Sequence, residues 1–338
     1  MKNAILVFTA ALAFAPMLAH NPVQACLHGP SEYTVPIKAG AQAGLIFFAD
    51  GRQEMVIRPS YQSQAPEEGK KAKNDASAKL TSLAWIIPTP SLPDTYKEAD
   101  AGLFTKLEEF TKQEEKDKKN WGPREGKAGG VALGAEEDGV TFEEEVVVGD
   151  YKIQPIKAKG ELGGKELNAW LKDNGFGELK EAVLKYYLDK DYYWLAVKLH
   201  NAKGLPEDGN VKPLQIGFNT EKPCYPIKIN AGSGEFDLAL WLITNKEIDL
   251  DKTKAFGLKT FEQEDAEMVQ QNRETRFSAL PDAVKKVATD DAGLKTLKSG
   301  KLRCYRFAAY GLDKEVDLAK LEGDLTFEFK AAAAKDGK

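Results

Sequence analysis

Apolar positions along this chain follow two rhythms, one with the period of a strand and one with the period of a helix. Leu45–Ala49 and Glu54–Arg58 flank Asp50-Gly51, a dipeptide that tolerates positive φ and suits a two-residue hairpin turn. Leu83–Ile87 reads as a further strand, stopped by Pro88, Pro90 and Pro93, which cannot donate to a ladder. Between these runs, residues 65–79 are small, charged and aperiodic, the pattern of a mobile loop.

The rhythm then changes. Leu103, Phe104, Leu107 and Phe110 share one face at helical spacing, which predicts a helix over about residues 97–113. The charged, Gly-rich stretch 114–140 reads as a long exposed loop, and Glu143–Val148 and Lys152–Ile156 flank Gly149-Asp150 as a second hairpin. Two short helices follow. Leu167, Trp170 and Leu171 stripe the first, which Asn174-Gly175 stops, and Leu179, Val183, Tyr186 and Tyr187 stripe the second.

Strand composition returns in Tyr193–Leu199, Pro213–Phe218, Tyr225–Asn230 and Phe236–Thr244, rich in aromatic and β-branched residues. Beyond residue 250 come helical patterns near 261–275 and 281–298, strands at Arg303–Ala308 and Leu325–Phe329, and an Ala/Lys tail. Strand clusters bracketing a helical middle predict an α+β fold rather than alternating βαβ units. The expected sheets are antiparallel or mixed. The expected layout is a core domain over residues 26–248, an α+β C-terminal extension over 249–330 and a disordered tail over 331–338.

Residues 1–25 have the grammar of a cleaved export signal: Lys2, an apolar stretch from Ala4 to Leu18, and Val23-Gln24-Ala25 before the cut. Pro16, His20 and Pro22 interrupt the segment, against the ~20 apolar residues of a spanning helix. Val23-Gln24-Ala25-Cys26 is also a degraded lipoprotein box, which makes Cys26 a candidate for lipidation. An extracytoplasmic location follows from either reading, with a lipid anchor at Cys26 in the second.

Removing the leader takes one lysine and no acid, so 46 basic and 52 acidic residues leave a mature charge of −6. That acidity argues against nucleic acid as a partner, because phosphate binding needs a basic surface. Three cysteines remain, Cys26, Cys224 and Cys304. In an oxidising compartment two can pair. Cys224–Cys304 is the choice if Cys26 is lipidated, and Cys26 with either of the others is open if it is not. The spacings match no zinc or redox motif.

Catalytic chemistry is poorly supplied. The mature chain holds only His28, in the terminal His-Gly-Pro lead, and His200, at the end of a strand. Gly163-Gly164-Lys165 fails as a phosphate loop, because Glu166 stands where Ser or Thr must reach Mg²⁺. Asp249-Leu250-Asp251 fails as an EF-hand, with Lys254 and Thr260 at the Gly and Glu positions. No cofactor or metal is expected. Trp85, Trp194, Trp241, Tyr192, Tyr193 and Tyr225 lie inside apolar strands, where core packing is the default.

Several segments together resemble the bacterial "domain of unknown function" family numbered 2330. They are Ala25-Cys26, the strand-turn-strand at Asp50-Gly51, Leu83–Ser91, Val148–Tyr151, Leu167–Phe176, Trp194–Leu199 and Tyr225–Ile229. The resemblance implies an exported bacterial protein and carries no activity, cofactor or catalytic residue. The family's usual second cysteine soon after the first is missing from Leu27–Ser31. The expectation is a non-enzymatic periplasmic or cell-envelope protein that binds an envelope or protein partner. Its rival is a secreted hydrolase using an acid pair, or Cys224 with His200.

Overall fold

The computed structural model describes residues 27–30, 33, 37–63, 79–112, 139–201, 204–206, 208–249, 270–314 and 317–331. Cys26, nearly all of the 65–79 and 114–140 stretches, and residues 251–269 lie outside them.

Asp50 and Gly51 take φ of 48° and 82°, and that turn joins β1 (Ile37–Ala49) to β2 (Arg52–Ser63). After β3 (Ser82–Thr89), the short strand β4 (Thr95–Glu98) precedes α1 (Leu103–Lys112). The helix predicted from residue 97 therefore starts at Leu103, the first residue of its apolar stripe. The extended backbone of β4 is taken up by pairing with a later strand, and the Asp100 carboxylate accepts from the Gly102 amide, 2.9 Å, as the first turn begins.

The second hairpin joins β6 (Val146–Val148) to β7 (Tyr151–Lys159) as expected, with β5 (Gly139–Phe142) before it. α2 (Gly160–Asp173) stops where the amides of Gly175 and Phe176 return to the carbonyls of Lys172 and Leu171. Gly175 supplies the positive φ, 77°, that this ending needs. Next come α3 (Glu181–Asp189), β8 (Tyr193–His200), β9 (Asp208–Asn210) and β10 (Leu214–Asn219).

The strand expected over Tyr225–Asn230 shrinks to β11 (Cys224–Tyr225), because Pro226 removes a donor and Lys228–Asn230 turn into a 3-10 helix. β12 (Phe236–Thr244) is followed by β13 (Gln270–Thr275), which replaces the end of the helix expected over 261–275. Residues 281–298 divide into α4 (Asp282–Thr289) and a 3-10 segment, Ala292–Lys298. β14 (Leu302–Leu312) and the two-residue β15 (Leu325–Thr326) complete the order.

Eight strands form the main sheet in the order β13-β14-β12-β1-β2-β10-β4, with β9 also on β2. Its β1–β12 pair is parallel and the others are antiparallel. β3, β8, β7, β5 and β6 make a second sheet. This is an α+β architecture. β14, from the stretch beyond residue 249, is hydrogen-bonded to β12 inside the main sheet.

The run Leu45-Ile46-Phe47-Phe48 is apolar without alternation because β1 is covered on both faces. Ile46 and Phe48 join a core shared with the second sheet, α2 and α3. Leu45 and Phe47 face the other way, into a core closed by α1, α4 and the Ala292–Lys298 segment. No helix among the described residues is long and apolar enough to cross a membrane.

Candidate functional site

Strand register builds the candidate site. Arg58 on β2 lies opposite Ala43 on β1, Ala43 opposite Ala239 on β12, and Ala239 opposite Ala308 on β14. Directly paired residues project on the same face of a sheet. The row Arg58-Ala43-Ala239-Ala308 therefore crosses four strands, about 14 Å at ~4.8 Å per spacing. One pleat away, the parallel row is Val56-Leu45-Trp241-Arg306. α1 covers that second row with Leu103, Phe104 and Leu107 and ends its cover at the alanines. Three methyl groups stand where branched side chains would have filled the space. The result is an open groove of about 590 Å³, rimmed by Asp237, Tyr310, Asn210 and the α1 acids Glu108 and Glu109.

The walls are aromatic and charged. Phe104 and Trp241 sit with ring centroids 5.9 Å apart. Arg306 lies over Trp241, 5.6 Å from its centroid, and makes a two-point ion pair with Glu108, at 3.2 Å from Nε and 2.9 Å from an Nη. The Trp241 Nε1–H donates to Thr111 Oγ1, 3.3 Å.

Arg58 is different. Its guanidinium lies 4.8 Å from the Phe104 centroid and forms no hydrogen bond or ion pair with a described residue, and its Nε is buried. Burial lowers its pKa from the ordinary arginine value. Half-buried cations of this kind normally have an acid beside them.

Two other charged clusters lie mainly in the core, with the Asp94 carboxylate of the first at the surface. Arg52 contacts Asp94 (2.6 Å), Asp291 (2.7 Å) and Glu54 (3.2 Å). Burial first, then the hydrogen bond with Asp291, pushes the Glu54 pKa up to about 7. Burial also works against the charge of Asp291, but the hydrogen bonds from Glu54 and Arg52 hold its pKa below the usual value. The two carboxyls are thereby pushed in opposite directions, yet Glu54 is 1% exposed and Gln215 closes its other oxygen at 2.8 Å.

The second cluster centres on Asp324, 2% exposed, which accepts from Tyr187 Oη (2.7 Å) and the Lys228 amide (3.0 Å). Burial raises its pKa to about 7. Cys224 lies close by, its thiol pushed well above the ordinary range by burial.

The expected Cys224–Cys304 disulfide is not formed. Cys224 is held on the shared-core side of the main sheet by both amide atoms of Gln53, at 2.8 and 2.9 Å. Cys304 points into the opposite core, beneath α1 and α4. A layer of backbone stands between the thiols.

The structure does not bring Cys224 to His200 either. Cys224 perturbs Tyr192, just before β8 begins, whereas His200 is its exposed last residue. Eight strand residues at ~3.3 Å put roughly 25 Å between those ends. His28, expected in a flexible lead, is tied by two backbone hydrogen bonds to Ala84. Trp85, Trp194, Trp241 and Tyr225 are at most 5% exposed, as core packing requires. No cluster of three or more His, Cys, Asp or Glu able to hold a metal ion occurs among the described residues.

Sequence reasoning missed the groove. Arg58 entered only as the end of a hairpin strand, and its parity with Val56, an inward position, was the available signal.

A bacterial family described as "Uncharacterized protein conserved in bacteria (DUF2330)" matches residues 52–288. The chain belongs to the DUF2330 family. The match begins with Arg52, takes in Arg58, Phe104, Trp241 and α4, and ends before β14, so the Arg306 wall of the groove lies beyond it. No curated protein matches the chain. Among solved structures, baculovirus P35 is similar at 12% identity and a TM-score of 0.41, over 88% of this chain and 99% of that one. The caspase-8/P35 complex gives 11% identity and a TM-score of 0.38, over 86% of this chain and 96% of the other. Likeness at that level carries no functional inference.

Proposed function

We propose that this DUF2330 protein is exported and acts in the periplasm or cell envelope as a non-enzymatic binding protein, with the alanine-floored groove as its binding surface. The leader-like residues 1–25 support export. The single observation that carries the binding role is the open groove of about 590 Å³, which places half-buried Arg58 and Ala239 and exposed Tyr310 within reach of a ligand. Concave sites with an apolar lining and a few convergent polar groups are the usual places for ligands. Glu54 and Asp324, the two acids whose pKa burial pushes up to about 7, lie in the core, away from the groove.

Two measurements test the reading. Cell fractionation with the intact mass of the native protein is expected to find a mature chain outside the cytoplasm, starting near Cys26. A chain of full length in the cytoplasm would overturn export. For the groove, Tyr310→benzoylphenylalanine is expected to give a specific photo-cross-linked adduct in cells, and Leu162→benzoylphenylalanine, on α2, to lack it.

The hydrolase alternative has one feature in its favour, the carboxyls of Glu54 and Asp291 around Arg52 with pKa values driven apart. It requires a substrate to reach a carboxyl that is 1% exposed. Hydrolytic activity abolished by Glu54→Gln in a variant that still folds would establish it.

A further inference from the structure

Charge balance in the groove is uneven in an informative way. Arg306 is matched by Glu108, whereas Arg58 has no acid beside it among the described residues. The fixed position of its guanidinium over Phe104 leaves a planar fork of donors at one end of the alanine row. A planar fork is complementary to a carboxylate, which it can bind at two points. Next to it, half-buried Ala239 and exposed Tyr310 offer an apolar surface across the strands, backed by the buried Ala43, Ala308, Phe104 and Trp241.

The far rim carries the opposite sign. Asp237 and Glu109 form no ion pair with a described residue. Asp237 lies two strand spacings and two residues from Arg58, which is roughly 12 Å between Cα atoms. One unmatched cation facing two rim acids suits a single negative charge and repels a dianion, so phosphate esters are disfavoured.

Resting on the groove reading above, we propose that the ligand carries a free carboxylate bound by Arg58, joined to an apolar or aromatic body that lies along the Ala43-Ala239-Ala308 row. The class includes N-acylated amino acids and the carboxyl ends of short peptides.

The test follows the Arg58 side-chain Nε–H resonance in the full mature protein, assigned by its loss in Arg58→Lys. Three probes are titrated: N-acetylphenylalanine, its amide and phenyl phosphate. Arg58 is expected to shift saturably with the free acid, which binds about tenfold or more tightly than the amide, a difference of ~1.4 kcal/mol. Phenyl phosphate is expected to bind no better than the amide. Arg58→Lys, which lacks that resonance and is titrated by calorimetry beside the unchanged protein, is expected to weaken the acid and leave the amide unchanged.

Equal binding of acid and amide would overturn the carboxylate assignment while leaving the groove reading intact. Tighter binding of phenyl phosphate would overturn the ligand class. No response of Arg58 to any probe at millimolar concentration would overturn the inference outright, and the Tyr310 cross-link would then decide the groove reading on its own.

Discussion

The guanidinium of Arg58 rests on the ring of Phe104, 4.8 Å from its centroid, with no carboxylate beside it among the described residues. Phe104 belongs to the helix that covers one core, and Arg58 to a strand at the sheet's centre. Their contact marks the line where the helix cover ends and the groove begins.

Filling that groove separates binding from stability. Ala239 is half-buried at its floor. Ala239→Trp places an indole in existing space, so the thermal midpoint is expected to stay within a few degrees, about 1 kcal/mol. Probe binding at Arg58 is expected to disappear. Calorimetry and the titration described above check the two halves.

Arg52 ties three elements of the main sheet and its cover together. Replacing it with Gln leaves Glu54 and Asp291 buried without their cation. Breaking a buried pair of this kind costs about 3–5 kcal/mol, which denaturant unfolding would report. A loss below 1 kcal/mol would show that Arg52 is incidental.

Gly217 lies directly beside the same cluster. A Cβ there would press on Glu54 Oε1 and Arg52 Nη2. Both atoms are hydrogen-bonded, at 3.2 Å to each other, so neither can move away without breaking that contact. Gly217→Ala is expected to destabilise by about 1–3 kcal/mol through overpacking. Unchanged stability would mean that the cluster is more yielding than its hydrogen bonds imply.

The two core acids raised to about 7, Glu54 and Asp324, predict an unusual pH dependence. Folded Glu54 and Asp324 keep their protons to about pH 7, mainly because of burial. The unfolded chain releases them near pH 4. Between those values the folded state holds more protons, so stability falls as pH rises. Asp291 works in the opposite direction, but its pKa is below the usual Asp value, so its window closes before the other opens. Glu54→Gln and Asp324→Asn are each expected to flatten the decline between pH 4 and 7, measured as the urea midpoint. A decline unchanged in both would contradict the assignment.

The thiols on the two sides of the main sheet predict indifference to reductant. In a Cys26→Ser chain, dithiothreitol is expected to leave intact mass and thermal midpoint unchanged. A gain of two hydrogens would show a disulfide and contradict the separation of Cys224 from Cys304.

Both hairpins and the α+β class were legible because their signals are local: Asp50-Gly51 and Gly149-Asp150 between apolar runs, and Asn174-Gly175 at a helix end. Helical spacing reads the end of β4 and all of β13 as helix, since Lys97-Glu98 and Gln270–Thr275 are extended only through long-range pairing with β10 and β14. The groove was illegible for the same reason. Arg58, Ala43, Ala239 and Ala308 form one row only after four strands take their register. Spacing along the chain carries no trace of that.

The central claim is that this groove is where the protein binds its partner in the cell. The direct measurement is the photo-cross-link yield from Tyr310→benzoylphenylalanine, with and without Ala239→Trp in the same chain. The account predicts a specific adduct that is lost when the groove is filled, at unchanged protein level. An adduct of equal yield in both chains, or none in either, would contradict it.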